Sequence, residues 1–481
     1  MSNINSNPAD WLEREKNALE IINIAGKLWL DSSVELIIFR RSIVDARASE
    51  ILNHHEYARN YANEPLTMAN SLEICKAIEA LGLAPSRIDI GVLGREFLTE
   101  GNGDDIYTFI QRKLSNFIGK DKKVLVPKDV VLYGFGRIGR LAARILISQT
   151  GKGEQLRLKA IVTRTNSDLD ITKRSSLLRK DSVHGKFRGT VIEDLENKAL
   201  IINGHTVKMI AASNPADIDY TAYGIEDALL IDNSGVWRDA EGLSKHLESK
   251  GISKVLLTAP GKGDIPNIVY GVNHNTYEPD SNDIFSAASC TTNGIAPILS
   301  VIDSKYGIVS GHIESVHSYT NDQNLLDNFH KKYRRGRSAP LNMVITETGA
   351  AKAVSKVLPQ TANKFTGNAV RVPTPDVSLA ILNLNLSSEV ESVEEINNVL
   401  NEASAFGALV EQIDYSTSAE LVSTDCIGNN HASIVDSNAT LLAPSKKSIV
   451  LYIWYDNEYG YTCQVVRLAK YLAKVQRLTY Y

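Results

Sequence analysis

Cys290 stands in a run of small, largely hydroxylated residues, Ser286-Ala287-Ala288-Ser289-Cys290-Thr291-Thr292-Asn293, and an apolar stretch from Ile295 to Ile302 follows it with helical spacing. This pattern predicts a cysteine at a helix N-terminus, where the macrodipole and unbonded backbone N–H groups favour a thiolate. His317 follows in a strand-like segment, Glu314-Ser315-Val316-His317-Ser318. A thiolate beside an imidazole can attack a carbonyl covalently and then move protons. Read singly, the cysteine would be a small buried hydrophobe and the histidine a structural group. Spacing alone does not bring them into contact.

A second chemical feature is Tyr133-Gly134-Phe135-Gly136-Arg137-Ile138-Gly139-Arg140, a GxGxxG turn between an apolar run, Val130 to Tyr133, and a helical run, Leu141 to Ile147. In that context Gly134 permits the tight turn, Gly136 lets backbone approach a pyrophosphate, and Gly139 permits close helix–sheet packing. Such a fingerprint expects an acidic residue at the end of the next strand, to bind a ribose 2′-hydroxyl. That strand reads Ala160-Ile161-Val162-Thr163-Arg164-Thr165-Asn166, with Asp168 and Asp170 only later. Thr163 beside Arg164 tolerates a 2′-phosphate, so NADP is expected as well as NAD. The alternative is that Asp168 reaches back and restores NAD preference.

The elements that must position these residues fall into three textures. Up to about Lys123 the pattern reads as helical: Leu12, Leu19, Ile22, Ala25 and Trp29 fall on one stripe. Further apolar stretches run from Val34 to Leu52, Ser71 to Leu81 and Ile106 to Ile118. From Asp129, short apolar runs (Val130–Tyr133, Lys159–Val162, Leu229–Ile231, Val255–Leu257) alternate with helical segments, the signature of a parallel sheet with crossover helices. After Asn293, alternation in Val377–Leu386 and at Ile313, Ser315 and His317 predicts a mostly antiparallel α+β domain. The expected fold class is therefore α/β: a Rossmann-type parallel-sheet domain plus an α+β catalytic domain, preceded by an α-helical extension. The expected boundaries are 1–125 for the extension, 126–288 for the dinucleotide-binding domain, completed by a C-terminal helix within 458–481, and 289–457 for the catalytic domain.

Composition narrows the setting. A 481-residue chain exceeds one ordinary core, and 43% hydrophobic with 22% charged residues is typical of globular proteins. A net charge of -4 gives no electrostatic case for nucleic acid or an anionic membrane as partner. The basic cluster Lys331, Lys332, Arg334, Arg335 and Arg337 reads first as a solvated face. Four cysteines without a CxxC pair point to neither a zinc site nor a disulfide framework, and to a reducing compartment. No secretory signal or membrane-spanning run is seen, so a cytoplasmic location and no metal are expected.

The motifs together resemble the glyceraldehyde-3-phosphate dehydrogenase family. YGFGRIGR is similar to that family's NGFGRIGR, with Tyr133 replacing the asparagine, and ASCTTN at Ala288–Asn293 matches without change. DSVHGKF at Asp181–Phe187, GVNH at Gly271–His274, VHSYTNDQ at Val316–Gln323, TGAAKAV at Thr348–Val354, RVPTPDVS at Arg371–Ser378 and WYDNEYGY at Trp454–Tyr461 follow in family order. The resemblance covers residues from about 129 to the end. It implies that Cys290 attacks an aldehyde, that hydride passes to NAD or NADP, and that inorganic phosphate cleaves the resulting thioester of glyceraldehyde 3-phosphate to 1,3-bisphosphoglycerate. His317 would activate the thiol and stabilise the oxyanion.

The resemblance further implies two anion sites: Thr320, Asp322 and Arg371 for the substrate phosphate, and Ser289, Thr291, Thr348, Gly349 and Arg337 for the attacking one. Gly134, Phe135, Gly136, Arg137, Ile138 and Gly139 would hold the pyrophosphate. Thr163 and Arg164 would face the 2′ position, and Ser234, Gly235 and Thr258 would line the cleft. Asn457 would fix the nicotinamide carboxamide, with Tyr461 near the same ring. The family is typically a homotetramer, with the loop from about 319 to 341 near a neighbour's cofactor, and serves glycolysis or gluconeogenesis alike. Gly294 stands where a second cysteine often follows the nucleophile, so a disulfide with Cys290 is ruled out. Erythrose-4-phosphate dehydrogenase, which hydrolyses its thioester, is the alternative enzyme, and a catalytically silent binding homologue is the alternative of another class. The retained Thr348, Gly349 and Arg337 favour phosphorolysis. The extension is absent from the usual family pattern and is read as a packing appendage, a partner-docking module or a lid.

Overall fold

Six parallel strands stand beneath the glycine-rich turn, in the order Ile284–Ser286, Ile252–Leu257, Ala228–Asp232, Lys128–Tyr133, Leu156–Thr163 and His205–Ala211. Two antiparallel strands, Ala199–Ile202 and Val191–Asp194, extend the far edge. Val130, Val131, Leu132, Leu229, Leu230 and Ile231 are inaccessible to solvent, as strands covered on both faces require. Chain order reverses between Lys128–Tyr133 and Ala228–Asp232. The crevice outside the carboxyl ends at such a reversal is where open α/β sheets take ligands. The helix Arg137–Ser148 leaves the turn at this point, and the helix Tyr459–Leu472 packs against it.

The computed structural model describes residues 8–62, 66–101, 103–149 and 155–481. The chain divides into two compact units, one of Met1–Pro127, Gln149–Gln155 and Val475–Tyr481, the other of Lys128–Ser148 and Leu156–Lys474. In the second unit a mixed, mostly antiparallel sheet is centred on Ile308–Ser318, Ser378–Leu386 and Ser448–Tyr455. Phe365–Val372 runs parallel to Ile308–Ser318 on its other side. The helix Cys290–Tyr306 buries Ile295, Ile298, Leu299 and Ile302 in a core shared with Ile313, Leu382 and Leu451 of that sheet. The helix that starts at Cys290 and the strand that carries His317 are thereby fixed by one packed layer.

The first unit departs from an all-helical extension. Helices Pro8–Ser32, Ala48–Ala62, Met68–Ala80, Ile90–Glu100 and Ile106–Lys113 surround a four-stranded sheet ordered Arg41–Ser42, Val34–Ile38, Ser86–Asp89, Leu478–Tyr480. The stretch from Val34 is a strand because its Leu36, Ile37 and Ile38 are buried consecutively, which a one-sided helix cannot do. The end of the chain also departs from expectation: Leu478–Tyr480 pairs in parallel with Ser86–Ile88, so residues 475–481 complete the front unit and not the dinucleotide domain. Among the described residues no helix is long and apolar enough to cross a membrane.

Candidate active site

Cys290 is the first residue of its helix, and Ser289 caps it by accepting from the Thr292 N–H at 3.0 Å. Ala288 just before them has φ 54, an uncommon setting for a residue with a Cβ and a feature that clusters at functional sites. The Tyr461 hydroxyl donates to the Ala288 carbonyl at 2.9 Å and holds the turn. His317 Nε2 lies 3.6 Å from Cys290 Sγ. On the other side of the ring Nδ1 is 2.8 Å from the Ser318 carbonyl oxygen, which assigns the proton to Nδ1 and turns the Nε2 lone pair toward the thiol. Arg371 Nη1 donates to the same carbonyl at 2.8 Å and lies 2.9 Å from Nδ1.

Burial sets the resting charge of this pair. It pushes the Cys290 thiol up, opposed by the Arg371 charge, and pushes the His317 imidazole down to about 3, reinforced by that charge. Desolvation thus works against the thiolate that the helix terminus favours.

Thr320, Asp322 and Arg371 come together beside the imidazole, with Arg371 Nη1 3.4 Å from Thr320 Oγ1 and Thr320 donating to Asp322. Arg337 was expected at the second anion site, with Ser289, Thr291, Thr348 and Gly349. It is 65% exposed and bound to Asp327 at 2.8 Å, whereas Arg335, 12% exposed, pairs with Asp322 and donates to Thr346 at 3.2 and 3.1 Å. The tight turn Tyr333–Gly336 sends these two arginines in opposite directions, so the guanidinium on the imidazole side is Arg335. Sequence reading missed it because RRGR offers three arginines and no periodicity to choose among them. Ser289 and Thr291 serve the helix start, Thr291 Oγ1 lying 3.1 Å from the Tyr455 hydroxyl. Thr348 and Gly349 head the helix Ala350–Val357, with Thr348 Oγ1 accepting from Ala350 N at 3.2 Å.

The glycine-rich turn fits a dinucleotide. A Cβ on Gly139 would meet the Gly134 carbonyl oxygen at 2.4 Å, so only glycine permits this packing, while a Cβ on Gly136 would meet nothing within 4 Å. Phe135 is buried and Ile138 half-buried. Arg137 bonds Asp181 at 2.7 Å and Glu458 through Nε at 2.7 Å. Ser234 N donates to Asp232 at 2.7 Å, Thr258 donates to the Asp232 carbonyl at 3.0 Å, and Gly235 has φ 68. The Asn457 amide oxygen accepts from Ser318 and Ser378 at 2.9 and 2.8 Å, which leaves its NH2 as donor for a ligand carbonyl. Thr163 is turned onto the Thr165 carbonyl at 2.7 Å and Arg164 is exposed. Asp168 is engaged by Lys198 at 2.6 Å.

One buried cluster was not foreseen. His184 Nε2 lies 3.0 Å from Glu458 and 3.4 Å from Asp376, and the ligand-type atoms of these three lie within 4.8 Å of one another. Asp376 is inaccessible, and burial with the nearby Asp456 and Glu458 charges pushes its carboxyl up to about 9. Against its burial, hydrogen bonds from His184 and then Arg137 hold the Glu458 carboxyl below its usual range. Asp376 precedes Val377, whose φ of 65 is a genuine outlier for a β-branched residue. The only sequence signal was that the three residues sit in separate motifs of the same order, DSVHGKF, RVPTPDVS and WYDNEYGY.

A parallel nucleotide sheet delivering a ligand to a cysteine–histidine centre defines a dinucleotide-dependent oxidoreductase. Residues 128–240 match the family model described as glyceraldehyde 3-phosphate dehydrogenase, NAD binding domain, and residues 289–457 match the C-terminal domain of the same enzyme. The chain belongs to the glyceraldehyde-3-phosphate dehydrogenase family. A glyceraldehyde-3-phosphate dehydrogenase-like protein of Pseudomonas aeruginosa is 51% identical over 458 residues, covering 95% of this chain and 98% of its own. The glyceraldehyde-3-phosphate dehydrogenase of Priestia megaterium is 42% identical over 340 residues, 71% of this chain and 96% of its own. Glyceraldehyde-3-phosphate dehydrogenase 1 of Bacillus subtilis is 41% identical over 345 residues, 72% and 98%. The first similarity extends through nearly the whole chain, front unit included, and the other two span the enzyme without it.

Proposed function

We propose that the protein oxidises glyceraldehyde 3-phosphate to 1,3-bisphosphoglycerate with inorganic phosphate, through a thioester on Cys290. The observation that supports this most is the 3.6 Å approach of Cys290 Sγ to His317 Nε2, flanked by Arg371 and Arg335. His317 takes the thiol proton as Sγ adds to the aldehyde carbon, and the hemithioacetal oxygen is held by the imidazole and the Cys290 N–H. A bound dinucleotide supplies the hydride acceptor, and oxidation leaves the thioester on Sγ. Phosphate oxygen then attacks the acyl carbon, the carbon–sulfur bond breaks, and the thiolate recovers its proton from His317.

The arginines give the substrate phosphate a second effect. Arg371 depresses the imidazole, so a phosphate dianion beside it offsets that charge and makes His317 a better base when substrate is bound. Thr320 and Asp322 position the two guanidiniums, and Ser289, Thr291, Thr348 and Gly349 are assigned to the attacking phosphate. Gly134 to Gly139, Ser234, Gly235, Thr258, Asn457 and Tyr461 are assigned to the dinucleotide. With Asp168 held by Lys198, no carboxylate at the end of Leu156–Thr163 repels a 2′-phosphate, so NADP is accepted alongside NAD. Apolar side chains exposed on and just after the loop, Leu325, Leu326, Phe329, Tyr333, Leu341 and Met343, support a homo-oligomer, a tetramer as in the family, working in the cytoplasm.

Rates of reduced dinucleotide formation with glyceraldehyde 3-phosphate and erythrose 4-phosphate, with and without inorganic phosphate, test the assignment. Phosphate-dependent turnover favouring the triose is expected; phosphate-independent turnover favouring the tetrose would overturn it. The ratio of kcat/KM for NADP over NAD tests the reading of Thr163 and Arg164, which a ratio far below one sinks.

A further inference from the structure

Asp181 and His184, from the motif DSVHGKF, have no part in the thioester chemistry. They stand on a hairpin, Lys180–Asp181 against Gly185–Lys186, with His184 in its turn. Asp181 accepts the N–H groups of Val183 and His184 at 2.9 and 3.0 Å and pairs with Arg137, which fixes the turn beside the glycine-rich loop. The His184 side chain is 5% exposed. Glu458 is held ionised, so His184 carries a proton on Nε2 and donates it at 3.0 Å. Arg137 takes the same carboxylate through Nε and Nη2, so this cluster already holds a cation from the protein itself.

Two short segments meet here. Residues 456–458 carry Asn457 between Glu458 and Asp456, which accepts from the N–H groups of Gly428, Glu458 and Tyr459. Residues 376–378 carry Ser378, which donates to the Asn457 amide oxygen two positions after Asp376. His184 Nε2 stands between the two, 3.0 Å from Glu458 and 3.4 Å from Asp376. Without the ring those carboxyls would face each other with no donor between them. Val377, between Asp376 and Ser378, keeps its φ of 65, a conformation that persists only where its surroundings impose it. We propose that His184 is a positioning residue that clasps the two segments together and so aims the Asn457 NH2 at the nicotinamide, which rests on the assignment of Asn457 to the dinucleotide. Released from the clasp, Val377 relaxes, Ser378 withdraws, and the Asn457 amide loses one of its two anchors.

Binding of two ligands to the full-length protein tests this. His184→Ala should weaken NADH binding by about tenfold, read by nucleotide fluorescence, the order of one hydrogen bond to a charged group. ADP-ribose, which keeps the pyrophosphate and lacks the nicotinamide, should bind the variant as it binds the parent. In the Asn457→Ala background His184→Ala should add no further loss, because the histidine acts through that amide. Should the alanine variant not fold, His184→Asn serves instead, since asparagine suits a turn and is too short to reach Glu458. Unchanged NADH binding, equal weakening of NADH and ADP-ribose, or losses from His184→Ala and Asn457→Ala that simply add would overturn the clasp. NADH binding that survives Asn457→Ala at parent strength would overturn the assignment of Asn457 and the clasp with it, a result distinct from the other three.

Discussion

Two buried polar centres, one in each unit, differ in how completely they are satisfied. In the front unit the inaccessible Asp89 carboxylate accepts from the N–H groups of Phe39, Arg40, Gly91 and Val92 at 2.8, 2.9, 2.9 and 3.3 Å. It closes the left-handed turn at Phe39 and Arg40 (φ 41 and 68) and caps the helix Ile90–Glu100. Both of its oxygens are engaged by backbone donors. In the catalytic unit Arg371 and His317 share one carbonyl, and the buried Arg371 Nε has no hydrogen-bond partner among the described residues. A saturated centre holds a fold together, whereas an unsaturated one has capacity for an anion.

The largest effect expected from breaking this contrast lies at the nucleophile. Cys290→Ser should lower phosphorylating turnover by at least about a thousandfold, because the alcohol is far harder to ionise than the thiol, while leaving unfolding unchanged. Survival of phosphorylating activity in a steady-state assay would mean the nucleophile is another group. Next come the two arginines. Arg335→Ala should lower kcat/KM by about a hundredfold, the worth of a charge-assisted contact to phosphate, and Arg337→Ala by less than about threefold. Equal losses in parallel assays would return Arg337 to the anion site.

In the front unit the same kind of substitution should act on stability alone. Asp89→Ala strands four backbone donors and should cost about 3 kcal/mol, read as an earlier thermal transition of that unit. Because the P. megaterium and B. subtilis relatives match only the enzyme portion, kcat of the folded variant should be unchanged. A fall in kcat without a shift in melting would make Asp89 something other than a structural anchor.

The two units also differed in how far they could be read in advance. Cys290, His317 and the glycine turn were legible because chemistry ties residue type to position: a nucleophile at a helix start, glycine where a Cβ would strike a carbonyl. Arg335 was not, since the choice between Arg335 and Arg337 depends on a turn of four residues that orients neighbours oppositely. In the front unit only periodicity was available, and it failed where burial is two-sided. Val34–Ile38 is a strand completed by Leu478–Tyr480 from the other end of the chain, a pairing no local window contains. The desolvation of Cys290 and His317 was hidden for a related reason, because it is set by the whole packed layer and not by the first helical turn.

A pH-dependent effect sharpens the comparison with a carboxyl that is buried yet unsatisfied. Asp376, whose oxygens make no hydrogen bond among the described residues, is pushed up to about 9, so near neutrality it carries a proton in the native state that the unfolded chain lacks. A raised native pKa means stability falls as pH rises from about 4, the ordinary carboxyl value, to about 9, by at most about 1.4 kcal/mol per unit. Asp376→Asn keeps the shape and remains neutral, so its melting temperature should gain on the parent progressively between pH 5 and pH 9 and then level off. Parallel melting curves across that range would show that the carboxyl is already ionised in the native state. The cluster of His184, Glu458 and Arg137 would then be balancing a second negative charge one residue from Asn457, and the protein would tolerate there what the front unit avoids at Asp89.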